Sequence, residues 1–319
     1  MTSVSSNNYQ KVLRYFDGSE NWREKLYIDT SDPFNRRLVR RRQYILDMIQ
    51  RLVGPEQGSV LDIGCGPGAY AEELAKRKFD TYGIDISTEL LRVCQNRLKL
   101  NDADFDARFK HGRVENIPFA RSFFDVAVCV GVLGYVGSEE LALKEILRVL
   151  KPGGYLVLAV ENVLSFSNID YIAGLLARRL IRPRGQMPLD VLKRIGFESP
   201  WEFNHSGVSY KLYNPWRLEE LMDDFGFTRL ESMTVGHELR ILRRSHIVPE
   251  SVLTSIEVRL EKLFRGFPWR VLAYSGEFYV GLFRNDSDRK SHDGHREKIR
   301  NIDQTTPARE PVWARTREE

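Results

Sequence analysis

Between residues 59 and 161, short apolar runs rich in β-branched residues alternate with stretches whose apolar positions recur every three or four residues. The first kind reads as strands buried on both faces and the second as amphipathic helices. Their alternation is the signature of βαβ units in a parallel sheet. The predicted strands are SVLDI (59–63), TYGID (81–85), a weaker ARFKH (107–111), FDVAVCV (124–130) and YLVLAV (155–160), with helices over 69–78, 88–100 and 139–150.

The flanks read differently. Tyr9, Val12, Leu13 and Phe16 stand at helical spacing, followed by Trp22, Leu26 and Tyr27 around a Gly-Ser break, which predicts an aromatic N-terminal cap over 9–27. A second helix is predicted over 35–52, with Leu38, Ile45, Ile49 and Leu52 on one stripe, arginines mostly opposite, and Gly54-Pro55 as its stop. After Asn162 the pattern gives a helix over 169–180, a loop with several Gly and Pro, and an aromatic stretch holding Trp201, Phe203, His205 and Tyr210, together read as an inserted cap. Asn214-Pro215 starts a helix that Gly226 stops. A strand over 228–235, a helix over 247–264 and a closing antiparallel strand over 275–283 complete the fold.

The expected architecture is therefore α/β: a Rossmann-like, seven-stranded doubly wound sheet whose last strand is antiparallel, with a helical N-terminal lid and an inserted α/aromatic cap. Along the chain this divides into a lid (1–57), a core (58–162), a substrate cap (163–212), the C-terminal part of the fold (213–284) and a charged tail expected to be disordered (285–319).

Composition changes this picture little. The 319 residues are 42% apolar and 29% charged, as in a soluble globular chain, and the net charge of +4 is too small to draw polyanions to the whole molecule. Attraction has to come from local patches, Arg36, Arg37, Arg40, Arg41 and Arg42 in one and Arg178, Arg179, Arg182 and Arg184 in another, each most simply a solvated helix face. Cys65, Cys94 and Cys129 show no CxxC spacing, so no disulfide framework or metal site is expected. With no leader-like start and no bilayer-length apolar run, a cytoplasmic location is expected, with any membrane contact peripheral.

The chemistry concentrates in VLDIGCGPGAY (60–70). Asp62 lies near the end of a buried strand, and Gly64, Gly66 and Gly68 form a turn opening onto a helix whose N-terminus offers N–H groups to an anion or carboxylate. The turn reads GxGxG with Pro67 inside, a poor fit to the GxGxxG that cradles a pyrophosphate. Asp85 ends the next strand, where a carboxylate accepts ribose hydroxyls in nicotinamide and adenosylmethionine enzymes alike.

The turn is followed in order by HGRVENIPF, FFDVAVCVGVLGYV and LKEILRVLKPGGYLVLAV. This run resembles the motif series of class I S-adenosylmethionine-dependent methyltransferases over about residues 58–162, and more loosely over 214–235. The resemblance implies S-adenosyl-L-methionine as cofactor. It implies that Gly64, Cys65 and Gly66, with Gly68, form the platform under the methionine part, and that Asp62 shapes the loop and reaches the amino group. Asp85 would hold the ribose, Ile86 would pack on the adenine, Val114 and Glu115 would flank it, and Val130 and Gly131 would line the sulfonium side. Arg113 stands where the family often has an adenine-binding Asp, which weakens that contact. Arg41 matches an arginine that contacts the cofactor carboxylate in ubiquinone-type O-methyltransferases. The segment YFDGSENWREKLY is also similar to the start of magnesium-protoporphyrin O-methyltransferases, which implies a lid over a partly apolar acceptor.

In-line transfer from a sulfonium draws mainly on proximity, worth up to about 7–11 kcal/mol, so no nucleophilic residue is needed. His205, His237 and Tyr135 are the candidate bases for a hydroxyl acceptor. The expected reaction is O-methylation, at a hydroxyl or carboxyl, of a small acceptor that is anionic or partly apolar. A macromolecule (RNA or protein), or a lipid at a membrane surface, is the alternative, although a nucleic acid is disfavoured by the absence of an RNA-binding appendage.

Overall fold

The computed structural model describes residues 3–18, 27, 32–53, 58–165, 201–205, 208–237, 249–265 and 274–287. In chain order the elements begin with α1 (Ser3–Gly18), α2 (Pro33–Val53), β1 (Ser59–Ile63), α3 (Ala69–Lys76), β2 (Asp80–Asp85), α4 (Thr88–Leu98), α5 (Asp102–Arg108), β3 (Phe109–His111) and β4 (Phe124–Val130). They continue through a 3-10 turn (Leu133–Tyr135), α6 (Glu139–Val149), β5 (Leu150–Glu161), β6 (Trp201–His205), β7 (Val208–Leu212), α7 (Pro215–Asp224), β8 (Phe227–Val235), α8 (Glu250–Arg265) and β9 (Phe278–Asn285).

Seven strands form one sheet in the order β3-β2-β1-β4-β5-β9-β8, with β9 antiparallel to both neighbours. The parallel strands are apolar on both faces because both are covered. Leu156, Leu158 and Val160 of β5 join α6 and α7 in one core, whereas Val157 and Ala159 join Ile45 and Ile49 of α2 and Leu74 of α3 in the other.

Local chemistry places the ends as expected. The Asn214 side chain accepts from Trp216 N at 3.0 Å with Pro215 in the first turn of α7. Gly226 ends that helix at φ +90°, donating to Asp223 O at 2.9 Å. Three expectations change. The first helix begins earlier than Tyr9, at Ser3, and ends at Gly18 where the Gly-Ser break stands. Ala107 and Arg108 belong to α5, capped by Asn101 accepting from Asp104 N at 2.9 Å, so β3 keeps only three residues. The aromatic stretch contains a hairpin, β6–β7, whose β7 Lys211 carbonyl would lie 3.0 Å from a Cβ at Gly134, which is why the 3-10 turn carries glycine there. The helix expected over 169–180, the second arginine cluster and the tail beyond 287 lie outside the described residues.

Candidate active site

The parallel strands β1, β2, β3, β4 and β5 end on one edge, where an open α/β sheet binds its ligands. Gly64, Gly66 and Gly68 there have φ of +70°, +50° and +82°, conformations glycine adopts without strain. At Gly64 a side chain is doubly excluded, since a Cβ would lie 2.3 Å from Val132 Cγ2. The turn is closed on itself. Gly64 N and Cys65 N both donate to Ile84 O at 2.8 and 3.0 Å, Gly68 N donates to Cys65 O at 2.9 Å, and Gly66 N donates to Asp85 Oδ2 at 2.8 Å. The amides at 64, 65, 66 and 68 are thus spent inside the fold, so the turn itself offers a ligand surface and shape, and any free N–H groups would have to come from the start of α3 at Ala69.

Asp85 takes its second backbone bond from Ser87 N at 2.8 Å, on Oδ1. Burial raises its pKa to about 6 against those amides, and each oxygen keeps capacity for a ribose hydroxyl. Asp62 is 2% exposed and its Oδ2 has no hydrogen-bond partner. Burial, reinforced by the Asp85 carboxylate, pushes its pKa up to about 8. An orphaned buried acceptor of this kind calls for a cationic donor.

Arg41 supplies the opposite charge. It is 5% exposed, donates to Tyr27 Oη at 2.9 Å and lies 4.4 Å from the Phe278 ring centroid, while its Nε has no partner. A buried guanidinium held by phenol and aromatic faces is prepared for a carboxylate. The reading of residues 36–42 as a solvated face is corrected here. None of its five arginines is exposed: Arg37 pairs with Glu277 at 2.8 Å, Arg40 approaches Glu257, and Arg42 donates to Ala69 O at 3.3 Å.

On the adenine side, Ile86 is half-buried and its carbonyl meets His111 Nε2 at 3.1 Å, while Val114 turns into the core. Glu115 pairs with Arg113 at 3.0 Å and accepts from Gly137 N at 3.0 Å, so its carboxylate is committed to holding loops together. At the end of β4, Val130 is half-buried, and a Cβ at exposed Gly131, φ +69°, would meet nothing within 4 Å. Open space therefore begins there. Cys65 and Cys129 are buried, Cys65 against Cys94 and Leu91, and burial pushes the Cys129 thiol up to about 12.

The three candidate bases separate. Tyr135 sits at this edge, its ring 5.4 Å from Phe16 and 5.9 Å from Tyr210, with burial and the Glu161 carboxylate raising its pKa. His237 is 1% exposed beside Thr234, and burial with Arg40 lowers its pKa to about 4. His205 ends β6, and its side chain lies outside the described residues. Glu161 was missed from the sequence. It ends β5, with pKa raised to about 7 by burial and the neighbouring Glu277 against the pull of Arg41. Its signal was the position alone, an acid at the C-terminal end of a buried parallel strand.

Known proteins resemble the chain over the stretch that builds this edge. The methyltransferase domain family matches residues 61–158. A ubiquinone biosynthesis O-methyltransferase of Psychrobacter arcticus is 30% identical over 204 residues, covering 64% of this chain and 71% of that protein. This chain is a class I S-adenosylmethionine-dependent methyltransferase. A second relative of the same description, from Xanthomonas oryzae pv. oryzae, is 28% identical over 183 residues, covering 54% of this chain and 73% of its own length. The solved structure of the cyclase SpnF shares the fold, with TM-score 0.51 at 16% identity over 87% of this chain and 96% of that one.

The methyltransferase is thus an S-adenosylmethionine enzyme, and its residues fit that group. The orphaned Asp62 Oδ2 would suit an ammonium, the buried Arg41 a carboxylate and Asp85 a ribose hydroxyl pair, while Gly131 borders space a side chain would fill. The cofactor supplies an activated methyl group. Among the described residues no three metal-ligating side chains come together, and no helix is long and apolar enough to cross a membrane.

Proposed function

We propose that the methyltransferase acts on a small-molecule acceptor and methylates an oxygen. What carries this reading is the pairing of Glu161, with its pKa near 7, with the aromatic wall of Phe16, Tyr135 and Tyr210. A buried carboxyl ionising near neutrality is suited to take a hydroxyl proton as the oxygen attacks the methyl carbon. The apolar rings exclude water and orient a partly apolar acceptor. Asp62, Arg41 and Asp85 hold the cofactor, the 64–68 turn with Ile86, Val114, Glu115, Val130 and Gly131 forms its bed, and Tyr135 flanks the acceptor. The O-methyltransferase descriptions of the relatives agree with oxygen as the target.

A macromolecular acceptor draws no support from the first arginine cluster, since Arg37 and Arg41 are buried and the other three half-buried. Tritium-labelled S-adenosylmethionine, incubated with the purified enzyme and cell extract, tests the reading. Base-labile or phenolic ether label is expected in the small-molecule fraction. Label confined to protein, lipid or nucleic acid would refute it.

A further inference from the structure

Arg113 occupies a position where a carboxylate would read the adenine, and its side chain turns elsewhere. Its guanidinium pairs with Glu115 at 3.0 Å and lies 4.5 Å from the centroid of the Tyr9 ring on α1. The same helix touches the sheet edge twice more. Ser87 Oγ donates to Asp17 Oδ1 at 2.5 Å, and Phe16 meets Tyr135 edge-on at 5.4 Å. Arg113 follows β3, Ser87 follows β2 and Tyr135 follows β4. One helix of about 24 Å, at 1.5 Å per residue, therefore bridges the loops that follow β3, β2 and β4, passing the intervening β1. Those loops border the adenine, the ribose and the sulfonium side.

We infer that α1 is a strap across the cofactor and that Tyr9 and Arg113 fasten its outer end, so that cofactor and product exchange requires this contact to part. The chemistry suits such a fastening. A cation over an aromatic face is attractive without being rigid, and this half-buried pair, still open to water, breaks at modest cost. Glu115 orients the guanidinium from the opposite side and ties it to the Gly137 amide, so the anchor belongs to the core and only Tyr9 travels. At the other end Asp17 is held by Ser87 Oγ, which also caps α4 by accepting from Leu90 N at 3.0 Å. That brings the Asp17 carboxylate close enough to Asp85 to add to its raised pKa, which couples strap position to the ribose acid. Arg113 and Tyr9 are thus positioning residues, acting on the cofactor through the helix.

The test rests on the cofactor assignment and reads the strap separately. In the full-length protein, S-adenosylhomocysteine release is followed by rapid displacement, and trypsin cleavage is followed at Lys11 and Arg14, which are exposed on α1. Arg113→Ala and Tyr9→Leu are each expected to speed release by about two- to fivefold, the range of one solvent-accessible cation–π contact, and to accelerate cleavage, with the double variant no faster than either single one. Arg113→Lys and Tyr9→Phe should stay near wild type. Weakened binding in Arg113→Ala with Tyr9→Leu unchanged would assign Arg113 to the cofactor itself and overturn the strap, as would cleavage and release untouched by both. A protein that binds no S-adenosylhomocysteine at all contradicts the cofactor assignment instead, while the cleavage comparison still decides the strap.

Discussion

If Asp62 answers the cofactor's ammonium as proposed, binding is linked to a proton. With a pKa near 8, about nine-tenths of the side chain is protonated at pH 7, and only the ionised form answers an ammonium. Ionising it on binding costs about 1.4 kcal/mol at pH 7, a tenfold loss of affinity, and another tenfold for each pH unit below that. Well above pH 8 the ligand's own α-amino group loses its proton in turn. Affinity for S-adenosylhomocysteine should therefore rise from pH 6 to a maximum near 8 and fall beyond it. Below the maximum nearly one proton should be released per ligand bound. Calorimetry in phosphate and in Tris, whose ionisation enthalpies differ, measures that proton directly. In Asp62→Asn the rising limb should vanish and affinity at pH 8 should drop by about 10- to 150-fold, the loss of one charge-assisted hydrogen bond at 1.5–3 kcal/mol. The sign for stability is opposite. A carboxyl whose folded pKa is raised loses stability as pH climbs from about 4 to 8, so ligand-free Asp62→Asn should melt higher than wild type at pH 8. A flat affinity profile with no proton release would refute the reasoning.

Other consequences follow from the same geometry. Arg41→Met, which keeps the packing against Phe278, should weaken S-adenosylhomocysteine by about 10- to 150-fold but spare an analogue lacking the carboxylate, as titration calorimetry would show. Gly64→Ala should destabilise by about 2–5 kcal/mol, through positive φ plus the clash with Val132, in chemical denaturation; adding Val132→Ala should recover the steric part and leave about 1–2. Wild type should show a rise in rate through pH 7, and Glu161→Gln should slow transfer and flatten that rise with cofactor affinity unchanged; an intact rise would remove Glu161 as the base. His237, neutral above about pH 4, should add no limb to that profile. Its depressed pKa instead contributes stability above pH 6.5 that is lost toward pH 4, and His237→Gln should blunt this acid sensitivity.

Where the determinants are local, the residues could be read directly. Asn214, Pro215 and Gly226 specify both ends of α7 within a dozen positions, and the two-sided apolar runs specify strands covered on both faces. The weak points were short or long-range. α5 has one buried apolar residue, Phe105, and no period to detect, although Asn101 three residues before Asp104 was a usable cap signal. The arginines of α2 looked solvated because a single helix shows only which face is apolar. Their burial comes from Tyr27, Glu257, Glu277 and Phe278, three of them more than 200 residues away. The same holds for the site. Asp62 and Asp85 were legible as residues at strand ends, whereas the solitude of Asp62 Oδ2, the coupling of Glu161 to Glu277 and the meeting of Tyr9 with Arg113 exist only once the chain has closed.

The internal hydrogen bonds of the 64–68 turn bear on which nucleotides the cell can put into this site. A phosphate chain arriving there would find four amides already engaged and two buried carboxyls, Asp62 and Asp85, facing it. Adenine nucleotides share the base and sugar of the cofactor yet carry charge of the wrong sign. The closed turn, with Asp85 behind it, is thus expected to disfavour ATP and NAD relative to a sulfonium amino acid, without contacting the atoms that tell them apart.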